Sequence, residues 1–168
     1  QDEIKRRVTS AYRANAYLMT SLTNLVGKQF TATHMTFGAI HEIEAAQAYR
    51  RLRTLTNHPV LKQILSAIIR EESVHTQFYW SVARLELRKN EWARKIARFV
   101  TEHFWAPVGQ GALSKKRTEY VAATLFGDYP GREVMDKIAQ RVRNLPGFSD
   151  IDRFADTVGD MTSRRSVP

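Results

Sequence analysis

Three side chains in this sequence have the types and spacing to do chemistry together. Glu72 and His75 stand at i and i+3 in the run Arg70 to Trp80, REESVHTQFYW, at places where the surrounding periodicity asks for apolar residues. At that spacing two side chains leave the same face of a helix. A carboxylate turned into an apolar seam is costly unless something neutralises it. A divalent cation does so, taking oxygen from Glu72 and a deprotonated ring nitrogen from His75. Glu42 takes the same kind of place in the preceding helical stripe.

The element that must position them is a helical hairpin. The stripe Met35, Gly38, Glu42, Ala45, Tyr49, Leu52 marks one helix, which ends near Thr56-Asn57-His58. Pro59 suits the first turn of the next helix, whose stripe Leu61, Leu65, Ile68, Glu72, His75, Tyr79, Val82 runs to about Arg88. Glu42 and Glu72 each lie 15 residues from Asn57, so at 1.5 Å per residue both stand roughly 22 Å from the turn, at one level of two antiparallel helices. Glu44 is expected with Gln47 and Arg51 on the polar face of its helix, which leaves Glu42 as the inward acid. Glu71, beside the seam, and His41, beside Glu42, are expected to support the ligands from behind, with Glu71 bonded to the second imidazole nitrogen or left as a plain surface carboxylate.

A Glu from one helix and Glu-x-x-His from its neighbour form the repeating half of a carboxylate-bridged di-metal site in ferritin-like bundles. Carboxylates suit iron or manganese, and the imidazole favours iron. The other half is missing from the sequence. No Asp or Glu lies between Ile4 and His41, and the adjacent Glu102 and His103 face different directions and read as the end of a later helix.

Around the hairpin the chain reads as helix throughout. Ile4, Val8, Ala11, Asn15, Leu18, Leu22 and Leu25 form a first stripe closed by Gly27; a helix follows Asn90 and stops before Pro107; and shorter helices are expected over 114–126, 132–144 and weakly from Ser149. The expected fold is an all-α, ferritin-like bundle of antiparallel helices, incomplete as it stands. It forms a single domain over 1–168, with a core hairpin at 31–88, C-terminal helices over 91–160 and a mobile tail at 161–168. The aromatics Phe78, Tyr79, Trp80, Trp92, Phe99, Phe104 and Trp105 read as packing residues.

Composition narrows the function. With no cysteine among 168 residues, thiolate metal sites, disulfides and thiol nucleophiles are excluded. No run is long and apolar enough to span a bilayer, so a soluble, cytoplasmic protein without membrane insertion is expected. The net charge of +9 favours an acidic partner. Nothing beyond that charge points to nucleic acid.

The stretch AIHEIEAAQAYRRLRTLTNHPVLKQILSAIIREESVHTQFYWSV resembles the second half of the soluble acyl-acyl carrier protein desaturases. In that family a SFQExAT helix, an N-D-P-like turn and a DExxH…Y helix follow with this spacing, and EHFWAPVGQG is similar to the segment after the next helix. The likeness covers residues 35–111. It implies that Glu42, Glu72 and His75 take three of six ligand positions at a di-iron centre, with the first Glu and the first EExxH upstream of Gln1. It further implies a homodimer that uses O₂ and a ferredoxin-type donor to place a cis double bond in an acyl chain on acyl carrier protein. The cluster Arg50, Arg51, Arg53 and Lys62 at the hairpin end is expected to dock that acidic carrier.

The pattern departs from the family where QExAT reads HEIEA: His41 stands for Gln, Glu44 for Ala and Ala45 for Thr. A missing hydroxyl there implies impaired or redirected oxygen chemistry. Two other readings fit the same residues: a half-size ferritin-like protein that assembles its di-metal site across a homodimer, and a metal-free helical interaction module.

Overall fold

The protein is described by a computed structural model over residues 29–106 and 114–151, where every regular element is an α-helix. The order is α1 (Gln29–Leu55), α2 (Pro59–Lys89), α3 (Glu91–Phe104), α4 (Lys115–Phe126) and α5 (Tyr129–Arg143). The chain is therefore an all-α helical bundle. The stripe from Ile4 to Gly27, the segment beyond Ile151 and the tail at 161–168 lie outside the described residues.

Local chemistry fixes the breaks. His58 precedes α2 with its Nδ1 accepting from the Leu61 N–H at 3.3 Å, and Pro59 takes the first helical position, where a missing N–H costs nothing. Asn90 separates α2 from α3 and caps the latter, its Oδ1 accepting from the N–H groups of Trp92 and Ala93 at 2.9 and 3.3 Å. Asp128 does the same for α5 through the Gly131 N–H at 2.8 Å. That cap starts α5 three residues before the expected Arg132, with Pro130 in the first turn. After α5 the chain folds down through single i→i+3 turns, Leu145 N–H to Val142 and Phe148 N–H to Leu145, with Gly147 at φ 85° allowing the reversal.

α1 is the central element. One side lies along α2, and another is covered by α3, α4 and α5. The core between them holds Ile40, Ile43, Ala83, Leu87, Ala97, Ile138, Val142, Leu145 and Phe148, each at 3 % exposure or less. Among the aromatics, Trp80 and Trp105 are buried, whereas Phe78 and Trp92 face solvent at 57 % and 67 % exposure, against the packing role expected for them. No helix among the described residues is long and apolar enough to cross a membrane.

Candidate metal centre

The hairpin of α1 and α2 closes most tightly at Gly38. A Cβ there would lie 2.5 Å from the Tyr79 ring, so only glycine lets the ring sit against the α1 backbone. Glu42 follows Gly38 by one helical turn, and on α2 His75 precedes Tyr79 by one turn. The close approach therefore brings the two stripes together where their polar residues lie.

Glu42, Glu72 and His75 converge, with one ligand atom of each within 4.8 Å of the others. His75 Nδ1 is 3.4 Å from Glu72 Oε2 and 3.8 Å from Glu42 Oε2. The two carboxylates are mostly covered, at 23 % and 20 % side-chain exposure, and His75 is open to solvent at 57 %. Removal from water pushes the Glu42 carboxyl up to about 7, helped by its hydrogen bond to Glu72 and that group's charge and opposed by His75. Two carboxylates that cannot both ionise comfortably, with an imidazole nitrogen beside them, form a donor set suited to a cation. Among the described residues no other three His, Asp or Glu side chains converge in this way.

Of the two residues expected behind the ligands, Glu71 is the plain surface carboxylate of its second expected reading, and His41 faces elsewhere. Glu71 is exposed and makes no hydrogen bond to His75 among the described residues. One residue turns a helix by about 100°, which carries Glu71 off the seam to the outer side of α2. His41 is turned away from the cluster for the same reason. It packs edge-on against Phe37 at 5.0 Å and bonds to the Ala106 backbone, while burial holds its pKa below the usual histidine value.

Glu44 is not on a polar face. It is 8 % exposed and lies beside the Trp105 indole, and burial raises its carboxyl well above the ordinary range, opposed in part by the indole N–H. Arg51 is internal as well, its Nε donating to the Leu125 carbonyl at 2.8 Å and its Nη2 to Asp128 at 2.6 and 2.7 Å. Both follow from the coverage of α1 on a second side by α3, α4 and α5. Arg51 is thus a tie between helices and leaves the expected docking cluster. Arg50 and Arg53 stay on the surface, bonded to Ser73 and Ser66 of α2 at 3.2 and 2.9 Å, and Lys62 is exposed. Glu102 and His103 stay on α3, the first paired with Arg98 at 2.9 Å and the second bonded to the Phe99 carbonyl at 2.8 Å.

Sequence reasoning missed two contributors: Gly38 with Tyr79, which sets the helix spacing beside the cluster, and Glu44 with Trp105, which anchors the far side of α1. The first was signalled by a glycine in mid-stripe. The second was signalled by a second set of spaced residues, Thr36, Ile40, Ile43 and Glu44, beside the first. Compared with family models, curated proteins and solved structures, the chain matches none.

Proposed function

We propose that the chain supplies one half of a di-iron centre in an O₂-dependent oxidoreductase of the acyl-acyl carrier protein desaturase type. The observation that carries this reading is the convergence of Glu42 from α1 with Glu72 and His75 from α2 at the middle of an antiparallel hairpin. Glu42 and Glu72 would hold iron through oxygen and His75 through nitrogen, and the iron, when bound, supplies O₂ activation. The chain's own residues do the rest. Burial of the two carboxylates keeps water from competing for them, and the Gly38–Tyr79 contact fixes the distance between the two helices that carry them.

In this reading the substrate is an acyl chain on acyl carrier protein and the electrons come from a ferredoxin-type donor. The surface cations Arg50, Arg53 and Lys62 remain at the hairpin end for an acidic carrier. Ala45, half-buried one turn beyond Glu42, puts a methyl where the resembling family has a hydroxyl. Slow or redirected chemistry is the expectation.

The test is anaerobic addition of Fe(II) to the apoprotein, followed by exposure to acyl carrier protein loaded with a saturated acyl chain, reduced ferredoxin and O₂. Iron uptake abolished by Glu72→Ala and His75→Ala, together with an unsaturated or hydroxylated acyl product, supports the reading. Uptake that survives both substitutions rejects the site, and uptake without any acyl product rejects the substrate.

A further inference from the structure

α2 and α5 both flank α1 yet make almost no backbone contact with each other. Between them lies a recess of about 620 Å³, lined by Trp80 and Arg84 of α2 and by Lys137, Gln140, Arg141 and Asn144 of α5. Helical spacing brings these six together. Trp80 and Arg84 are one turn apart, and positions 137, 140, 141 and 144 run down a single stripe of α5. The opposite stripe of α5, with Ile138, Ala139 and Val142, is buried in the core.

The recess holds three cations and no acid. Other cations of the fold have carboxylate partners: Lys89 has Glu86, Lys95 has Glu91, and Arg98 has Glu102 and Asp150. Arg84, Lys137 and Arg141 have no ion pair among the described residues. Glu133 and Asp136 line a second hollow on the adjoining side of α5, and although Lys137 borders both hollows, neither acid pairs with it. Three like charges around one recess repel one another, and an anion placed between them removes that cost.

One of the three is held ready. The Arg141 guanidinium lies 5.1 Å from the centroid of the Trp80 ring, and the ring itself is buried at 8 % exposure. Stacking occupies a face of the guanidinium and leaves its N–H donors, which lie in its plane, free for a ligand. An arginine ordered before binding loses less freedom when an anion arrives.

The charge count selects the ligand. A guanidinium fork matches a pair of phosphate oxygens. One phosphate monoester carries about −1.5 to −2 charge and leaves a cation unmatched, whereas two linked phosphates match all three. The volume falls within the range of small-molecule sites, roughly 300–1,000 Å³, and the carboxamides of Gln140 and Asn144 can donate to and accept from a polar remainder. The buried indole, with Arg141 over it, offers no open face on which a nucleic-acid base could stack.

We propose that the recess between α2 and α5 binds a small polar molecule carrying a diphosphate, with Arg84, Lys137 and Arg141 neutralising the phosphates and Trp80 holding Arg141 in position. The site shares no residue with the cluster of Glu42, Glu72 and His75 and stands whether or not that cluster holds a metal.

Isothermal titration calorimetry of the whole chain in EDTA, with inorganic pyrophosphate and orthophosphate as probes, tests it. EDTA keeps pyrophosphate from bridging to a metal at the other site. The proposal expects one pyrophosphate per chain, bound about tenfold or more tightly than orthophosphate, and a loss of about tenfold in Arg84→Gln and in Lys137→Gln, as for charged hydrogen bonds elsewhere. Arg141→Lys keeps the charge but gives up the fork and the stack, and should also lose about tenfold. Lys95→Gln removes a cation of α3 outside the recess and should bind as the wild type does. Circular dichroism shows that each variant is folded. No pyrophosphate bound by the whole chain overturns the site, whatever fills the recess. Equal losses in Lys95→Gln and Arg84→Gln overturn it as well, tracing binding to the net charge of +9. Full affinity in Arg141→Lys overturns the stacked arginine as a ligand-positioning device.

Discussion

Glu42 and Glu44 lie two residues apart on α1 and serve different sides of it: Glu42 meets Glu72 and His75 across the hairpin, whereas Glu44 is enclosed beside Trp105. Substitution should separate the two roles. Glu44→Gln removes a buried carboxyl whose folded pKa is raised, and so should make the chain more stable to denaturant at pH 7 than the wild type, with metal uptake per folded chain unchanged. Glu42→Ala should do the reverse, removing metal uptake with little loss of stability. Metal uptake lost with Glu44 and kept without Glu42 would invert the assignment of the two faces.

Metal binding should appear as stabilisation of the folded chain. A ligand bound only by the native state adds about 2.7 kcal/mol at a hundredfold excess over its Kd, so the thermal midpoint should rise with Co(II) or Fe(II) concentration. His75→Ala and Glu72→Ala should remove that rise. Glu102→Ala, on α3 and paired with Arg98, should keep it. An equal rise in all four proteins would trace it to non-specific binding.

The hairpin and its cluster were legible because their signals are local: a stripe at helical period, Pro59 opening α2, and two acids equidistant from Asn57. The inward and outward assignment failed at Glu44 and Arg51. One amphipathic stripe suffices to predict a helix with a single buried face, but α1 is covered on two sides, and the second covering comes from helices some 75 residues away along the chain. Glu71, for which the sequence left both places open, shows how fine the division is. Its neighbour Glu72 joins the cluster, yet one residue's rotation about the helix axis puts Glu71 outside.

Gly38→Ala should open the hairpin at the cluster. The new Cβ would stand 2.5 Å from the Tyr79 ring, which forces the ring or the helix to move and costs about 1–3 kcal/mol, as overpacked sites do. Because Glu42 and His75 are each one turn from this contact, weaker metal binding should accompany the loss of stability. Tyr79→Ala introduced with Gly38→Ala removes the clash and should recover part of the metal affinity. Affinity unchanged in Gly38→Ala would mean that the spacing is set elsewhere.

Arg51 and Asp128 tie α1 to the start of α5, and the pair predicts the acid behaviour of the fold. Asp128 is held below its ordinary pKa, first by the Gly131 N–H and also by the Arg51 guanidinium; Asp150 is held down likewise by Arg98, whose Nη2 reaches it at 2.9 Å. A carboxyl whose folded pKa is depressed contributes stability that is fully present above the unfolded value, about 3.9, and is lost as pH falls through the folded value. Stability should therefore hold steady down to about pH 4 with respect to these two groups and decline below it. Asp128→Asn with Asp150→Asn should unfold more readily at pH 7 and show a shallower decline in acid. Arg51→Ala, which strips both the Leu125 carbonyl and Asp128 of a charged donor, should cost about 2–3 kcal/mol at neutral pH. Urea unfolding followed by circular dichroism from pH 2 to 7 reads all three, and parallel acid limbs in wild type and the double variant would show that neither carboxyl governs acid stability.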